Sequence, residues 1–100
     1  MKKLPVRIDK RKIDAFCRKH HITYLALFGS VLTPLFTASS DVDVLVKFDK
    51  EKVPGLFGIV DMQEELSVIV GREVDLKTPN GLSRYFRDEV LSTARVLYEK

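Results

Sequence analysis

A single small α/β domain (α+β in arrangement), with about four short strands and helices between and beside them, is predicted by three observations. Apolar residues recur at helical spacing in some segments and as short runs or strict alternation in others, and the two kinds of segment follow one another along the chain. Glycine, proline and capping residues fall at the joints between them. The chain has 100 residues, 45% of them hydrophobic and 31% charged, which suffices for one hydrophobic core and leaves no room for a second. Residues 1–100 are therefore expected to form one domain.

Asp9 suits the N-cap of a helix over 10–20, with Ile8 placed to pack on Ile13 as a hydrophobic staple. Ile13, Phe16 and Cys17, at i, i+3 and i+4, form its inward face, which makes Cys17 a core residue. His20-His21 closes the helix, with His21 in a left-handed conformation that histidine tolerates better than most residues. Adjacent histidines do not share a helix face, so metal ligation by them is not expected. The apolar run from Tyr24 to Phe28 reads as a buried strand, extended back to Ile22. Beyond it a single helical turn is expected over 31–35, capped by Ser30 and kept short because Pro34 removes a backbone donor. A second strand spans 41–48, and a charged connection leads to a helix over 56–70, stopped by Gly71. Phe57, Val60, Leu66 and Ile69 are among its inward candidates, and Asp61, Glu64 and Glu65 face solvent. A short strand over 72–78 ends at Thr78-Pro79-Asn80-Gly81. A helix whose apolar set includes Leu82, Tyr85, Phe86 and Val90 follows, then a last strand around 95–98. Arg84 and Arg87 are expected on an exposed helical surface, within reach of phosphates at most.

Composition narrows the setting. No apolar run approaches the ~20 residues of a membrane span, and Met1-Lys2-Lys3-Leu4-Pro5 lacks the apolar stretch of a signal peptide. A single cysteine excludes an internal disulfide and fits a reducing compartment, so the cytoplasm is the expected location. The formal net charge of +3 is unevenly spread: residues 1–21 hold eight Lys/Arg against Asp9 and Asp14, and the remainder holds nine against twelve acidic residues. Such a basic segment could meet nucleic acid, substrate phosphates or an acidic protein. Without interleaved aromatic residues for base stacking it reads more simply as a solvated face.

The chemistry concentrates between Phe28 and Val46. Alternation along a strand puts Asp41 and Asp43 on one face, opposite Val42, Val44 and Val46. Two carboxylates that close repel, and a hard divalent cation with oxygen ligands is the natural relief. Gly29-Ser30 follows a buried strand directly, where glycine permits a sharp turn and close approach of a ligand, and N–H groups at a helix start bind phosphate oxygens. A phosphate cradle beside a metal pair suggests a nucleoside triphosphate. Asp75 lies opposite Val74 and Leu76 by the same alternation. It becomes a third carboxylate of the group if its strand lies beside the second with the same face outward.

Gly29-Ser30, ten residues, Asp41-Val42-Asp43 and then a strand carrying Asp75 resembles the nucleotidyltransferase superfamily of DNA polymerase β. Specifically it resembles the minimal nucleotidyltransferases, the MNT antitoxins of HEPN/MNT toxin–antitoxin pairs. The likeness covers nearly the whole chain, including Val74-Asp75-Leu76, Thr78-Pro79 and Arg87-Asp88-Glu89-Val90-Leu91. It implies a mixed sheet with flanking helices, Gly29 and Ser30 on the nucleotide phosphates, and Asp41 and Asp43 holding Mg²⁺, with two ions expected. Asp75 would help bind the catalytic metal and activate the attacking hydroxyl. ATP would be the substrate and AMP the transferred group, placed on a tyrosine of a helical HEPN partner whose toxicity is thereby silenced. Size agrees, since 100 residues leave little for binding an acceptor and another chain should present it. Members usually follow Gly-Ser with arginines and a glycine, whereas Val31, Thr33 and Pro34 stand here, so altered or reduced nucleotide handling is expected. An antitoxin that neutralises its HEPN partner by binding alone is the second reading, and a nucleic-acid-binding module the third. Self-association or docking through Val96-Leu97-Tyr98 or the region of Phe57 stays open.

Overall fold

In the computed structural model, which describes residues 4–100, Asp9 caps the first helix as its position suggests. Its Oδ1 accepts from the backbone N–H groups of Arg11 and Lys12 at 3.1 and 3.3 Å. The amino-terminal expectations that rest on Met1, Lys2 and Lys3 lie outside the described residues. Helix α1 (Lys10–Lys19) buries Ile13, Phe16 and Cys17, with Ile8 partly buried against the same cluster. The helix ends where His21 takes a φ of 57°, the one non-glycine residue in the left-handed region among those described. Burial foremost, with Asp14 adding to it, pushes the Cys17 thiol up to about 12. At neutral pH the thiolate is then nearly absent. Iodoacetamide should leave Cys17 unmodified in the native protein and alkylate it fully in urea, as intact-mass measurement would show; rapid native labelling would contradict its burial.

Four strands, β1 (Ile22–Phe28), β2 (Val42–Phe48), β3 (Val74–Lys77) and β4 (Arg95–Glu99), form one sheet in the order β3-β2-β1-β4. β1 runs antiparallel to both β2 and β4, while β2 and β3 are parallel, so the sheet is mixed. A parallel pair cannot be closed by a hairpin. The crossover is α2 (Leu56–Val70), ended by Gly71 at φ 79°.

Strand alternation gives the sheet two unlike faces. Leu25, Leu27, Val42, Val44, Val46, Val74 and Leu76 join residues of α1 and α2 in the main core. The opposite face carries Tyr24, Ala26, Phe28 and Leu45, covered by Leu82 and by Val90 and Leu91 of α3 (Arg87–Thr93). Only part of this second face is covered, and its uncovered part holds the carboxylates described below.

Two helical expectations need correction. Phe57 and Val60 point outward, 84% and 42% exposed. Leu66 is buried and Ile69 partly buried as expected, and Met62, Val70 and, in part, Ile59 take the places of the other two. This segment is apolar on several sides, so spacing alone does not choose the inward stripe. The expected helix beginning near Leu82 starts only at Arg87. Pro79–Gly81 makes a separate 3₁₀ turn. Leu82 is buried, but Tyr85 is 86% exposed, because Leu82 anchors an irregular turn in which Ser83 Oγ accepts from the Tyr85 N–H at 3.3 Å. Asp61 and Glu64 are exposed as expected. Glu65, half-buried, joins α2 to α1 through Lys19 at 3.1 Å and His20 at 3.0 Å. Among the described residues no helix is long and apolar enough to cross a membrane.

Candidate active site

At the end of β1 the chain reverses at once. Gly29 has φ 77°, a conformation that costs most other residues about 1 kcal/mol or more, and it opens a 3₁₀ turn over Gly29–Leu32. The turn is a single one, as Pro34 leads one to expect. The cap assigned to Ser30 is corrected: the reversal at Gly29 starts the turn two residues early, so Ser30 lies inside it. The residue before the turn is Phe28, which makes no side-chain cap. The carbonyl of Ser30 accepts from the Thr33 N–H and from Thr33 Oγ1, both at 2.9 Å.

Glycine is needed at 29 for a second reason. A Cβ built there would stand 2.4 Å from Asp43 Oδ2 and 3.3 Å from its Cγ. The Asp43 carboxylate thus lies against bare backbone, brought there by the pairing of Phe28 with Asp43 across β1 and β2. On the other side the parallel register sets Asp43 beside Asp75. Both project from the face opposite Val42, Val44, Val74 and Leu76, which are buried. Asp41 sits one residue ahead of β2 and is exposed.

The electrostatics follow from this placement. Asp43 is half-buried, and its carboxyl is pushed above the usual carboxylate range by burial first and by the charge of Asp75 next; Asp41 adds to the effect and Lys77 opposes it. Lys77 Nζ lies 3.5 Å from Asp75 Oδ2. Among the described residues no three His, Cys, Asp or Glu side chains stand as a ready-made metal cage. Asp43 feels the charge of both Asp75 and Asp41, and carboxylate oxygens are of the kind a hard divalent cation takes. A cation there would remove the repulsion that raises Asp43.

Beside Gly29, the 3₁₀ turn and α3 enclose a cleft of about 570 Å³. Phe28, Leu32 and Val90 supply its apolar walls, and Thr33, Glu89 and Thr93 its polar rim. The arginines are placed differently from expectation. Arg84 lies outside any helix, its guanidinium 5.3 Å from the Tyr85 ring centre. Arg87 is half-buried and donates to the Leu82 carbonyl at 3.1 Å. Two residues that sequence reasoning left without a part bear on the site, Lys77 beside the carboxylates and Arg72 behind them. Lys77 is signalled by its alternation with Asp75, whereas Arg72 contacts backbone carbonyls 32 to 35 positions away and no spacing in the sequence could show this.

A left-handed turn at the end of one strand, apposed aspartates on the next two and a mixed sheet are the parts of a nucleotidyltransferase. Residues 11–100 match the polymerase beta nucleotidyltransferase domain, and the chain belongs to that family. Among its relatives is a candidate protein adenylyltransferase of Methanocaldococcus jannaschii, 34% identical over 85 residues that cover 85% of this chain and 89% of that protein. Two solved structures share the fold. One, a toxin–antitoxin with AMP-PNP, aligns with a TM-score of 0.73 at 19% identity, covering 93% of this chain and 75% of the other. The second is a tri-AMPylated HEPN toxin of Shewanella oneidensis in complex with its MNT antitoxin; it aligns with a TM-score of 0.64 at 19% identity, covering 91% and 70%.

Proposed function

We propose that this protein is a Mg²⁺-dependent nucleotidyltransferase that moves AMP from ATP to a hydroxyl, that of a tyrosine, on a HEPN partner, and so acts as its antitoxin. The observation that carries this reading is the Asp43 carboxylate lying against Gly29 on one side and beside Asp75 on the other. The relative named as a candidate protein adenylyltransferase and the AMPylated HEPN toxin in complex with an MNT antitoxin support the choice of group and partner.

Asp41, Asp43 and Asp75 would hold the metal, two ions in the full complex. Bound there, Mg²⁺ supplies positive charge to the transferring phosphate and to the oxygens entering and leaving it. The chain's own residues do the rest. N–H groups at the start of a helical turn have no partners within it, and those of Gly29 and Ser30 would meet the phosphate oxygens. The neighbouring cleft receives the nucleoside. Asp75 accepts the proton of the acceptor hydroxyl as its oxygen bonds to the α-phosphorus. The bond from that phosphorus to the bridging oxygen breaks, and pyrophosphate leaves with the electron pair. Lys77 contributes the cationic charge that Val31, Thr33 and Pro34 do not provide on the turn. A carboxylate trio serves well because it neutralises cations without offering a strong competing nucleophile.

Binding without catalysis is the second reading, favoured by the turn itself: Val31 is buried and Thr33 and Pro34 carry no charge. Co-expression with the HEPN partner, with and without Asp41→Asn and Asp43→Asn, separates the two. Intact-mass measurement of the partner should show added AMP with the native chain and none with the variants. A neutralised partner of unchanged mass would leave only the binding role.

A further inference from the structure

Asp41 is the carboxylate that no strand pairing holds, since β2 begins at Val42 and only Asp43 has a register partner in β3 among the two. Its flanks are held by two consecutive residues from the turn between α2 and β3. The Val42 N–H donates to the Glu73 carbonyl at 2.8 Å. On the other flank Arg72 Nη2 lies 2.7 Å from the Ser40 carbonyl, 2.9 Å from that of Thr37 and 3.1 Å from that of Ala38. One guanidinium nitrogen has two protons, so three acceptors at these distances imply a shared, bifurcated bond. The guanidinium carbon also stands 4.6 Å from the ring centre of Phe36, within the range of a cation–π contact. The segment held in this way folds on itself: the Ser40 N–H donates to the Thr37 carbonyl at 3.1 Å, and Ser40 Oγ accepts from the Thr37 N–H at 3.0 Å.

We infer that Arg72 is a positioning residue for the metal site, acting through the 37–40 turn to fix Asp41 against Asp43 and Asp75. The guanidinium gathers three carbonyl oxygens of one short segment, and it stands over the Phe36 ring. Lysine could supply the charge and donors on one nitrogen but not the planar, weakly hydrated group that stands over the Phe36 ring. The same turn that carries Arg72 leads directly into Val74-Asp75, so a single stretch sets two of the three carboxylates. Without this clamp Asp41 ends a loop spanning residues 33–41 that is tied only on its Val42 side, and ordering it has to be done by the metal itself. The expected signature is a metal-affinity defect that saturating metal overcomes.

This inference rests on the metal reading of the site, and the test separates the two. Mn²⁺ binding is measured by electron paramagnetic resonance in the presence of AMP-PNP, for the native protein, Arg72→Ala, Arg72→Lys and Phe36→Leu. Arg72→Ala should bind Mn²⁺ about 10-fold more weakly, the range seen when residues supporting metal ligands are removed. Arg72→Lys and Phe36→Leu should fall between it and the native protein. Hydrogen exchange should show faster amides over 37–42 in the same order, and AMP transfer at saturating Mg²⁺ should return to near the native rate. If Arg72→Ala loses thermal stability yet binds Mn²⁺ like the native chain, Arg72 only anchors a loop and the inference fails while the metal site stands. If the native protein itself binds no Mn²⁺, the metal reading fails and this inference with it. Should Arg72→Ala not fold, the lysine and leucine variants carry the same comparison.

Discussion

Asp43→Asn should reduce AMP transfer by about 10³-fold or more, the scale on which loss of a group acting directly on transition-state charge is felt, and should at the same time raise the melting temperature. The two effects have one origin. Burial first, then the neighbouring charge of Asp75, raises the Asp43 carboxyl above its usual value, so the folded state prefers the protonated form. A carboxyl raised in this way supports folding fully at low pH, and the support is lost as pH rises through the window above the ordinary value of 3.8. At neutral pH the ionised group therefore opposes folding in the metal-free protein. Asparagine removes the charge while keeping the shape. A gain of a few degrees at pH 7, shrinking as the pH is lowered toward that of a free carboxyl, is the expected result of paired thermal melts. Mg²⁺ with ATP should stabilise the native protein and not the variant, because only a ligand bound to the folded state shifts its melting. A variant that melts lower at pH 7 would show that Asp43 is held by favourable contacts and would remove this account of the site.

Gly29→Ala is expected to damage both folding and catalysis. The left-handed φ of 77° alone costs roughly 1–2 kcal/mol for a residue with a Cβ, and the new methyl would meet Asp43 Oδ2 at 2.4 Å. Either the turn or the aspartate must move. Transfer should fall by about 10²-fold, as a displacement near 1 Å at a reacting centre can cause. The double variant with Asp43→Ala tells strain from collision. Alanine at 43 removes the carboxyl but keeps a Cβ, which lies 3.4 Å from the built one, an ordinary contact. In that background Gly29→Ala should be less destabilising, in urea unfolding, than in the native one. Equal destabilisation in both backgrounds would mean that the carboxylate is not what glycine makes room for.

What could be read from the chain alone was whatever local spacing governs. The cap at Asp9, the left-handed His21, the strand over 22–28 and the helix stopped by Gly71 are each set by neighbours within a few positions, and each appears in the fold. Strand alternation likewise put Asp75 on the face opposite Val74 and Leu76. Where tertiary packing decides, spacing was a poor guide. Met62, Leu66 and Val70 are the buried stripe of α2 because β3 and α1 lie on that side, and Phe57 and Val60, equally apolar, are left outside. Tyr85 and Phe86 have the periodicity of a helix, yet the burial of Leu82 holds their segment in a turn. Arg72 was invisible for a different reason: its partners are carbonyl oxygens, which every residue possesses and no side-chain pattern marks.

The parallel pairing of β2 with β3 has a consequence for which parts of the chain can vary. Asp43 and Asp75 meet only because the excursion through α2 returns the chain in one register, and opposite sides of a pleat are a single residue apart. Adding or deleting one position in the tight return at 71–73 would turn Asp75 inward and drive Val74 and Leu76 out of the core, whereas the exposed stretch at 49–53 can change length without either aspartate noticing. Natural variation and engineered fusions alike should therefore accumulate at the entrance to the crossover and be excluded from its exit.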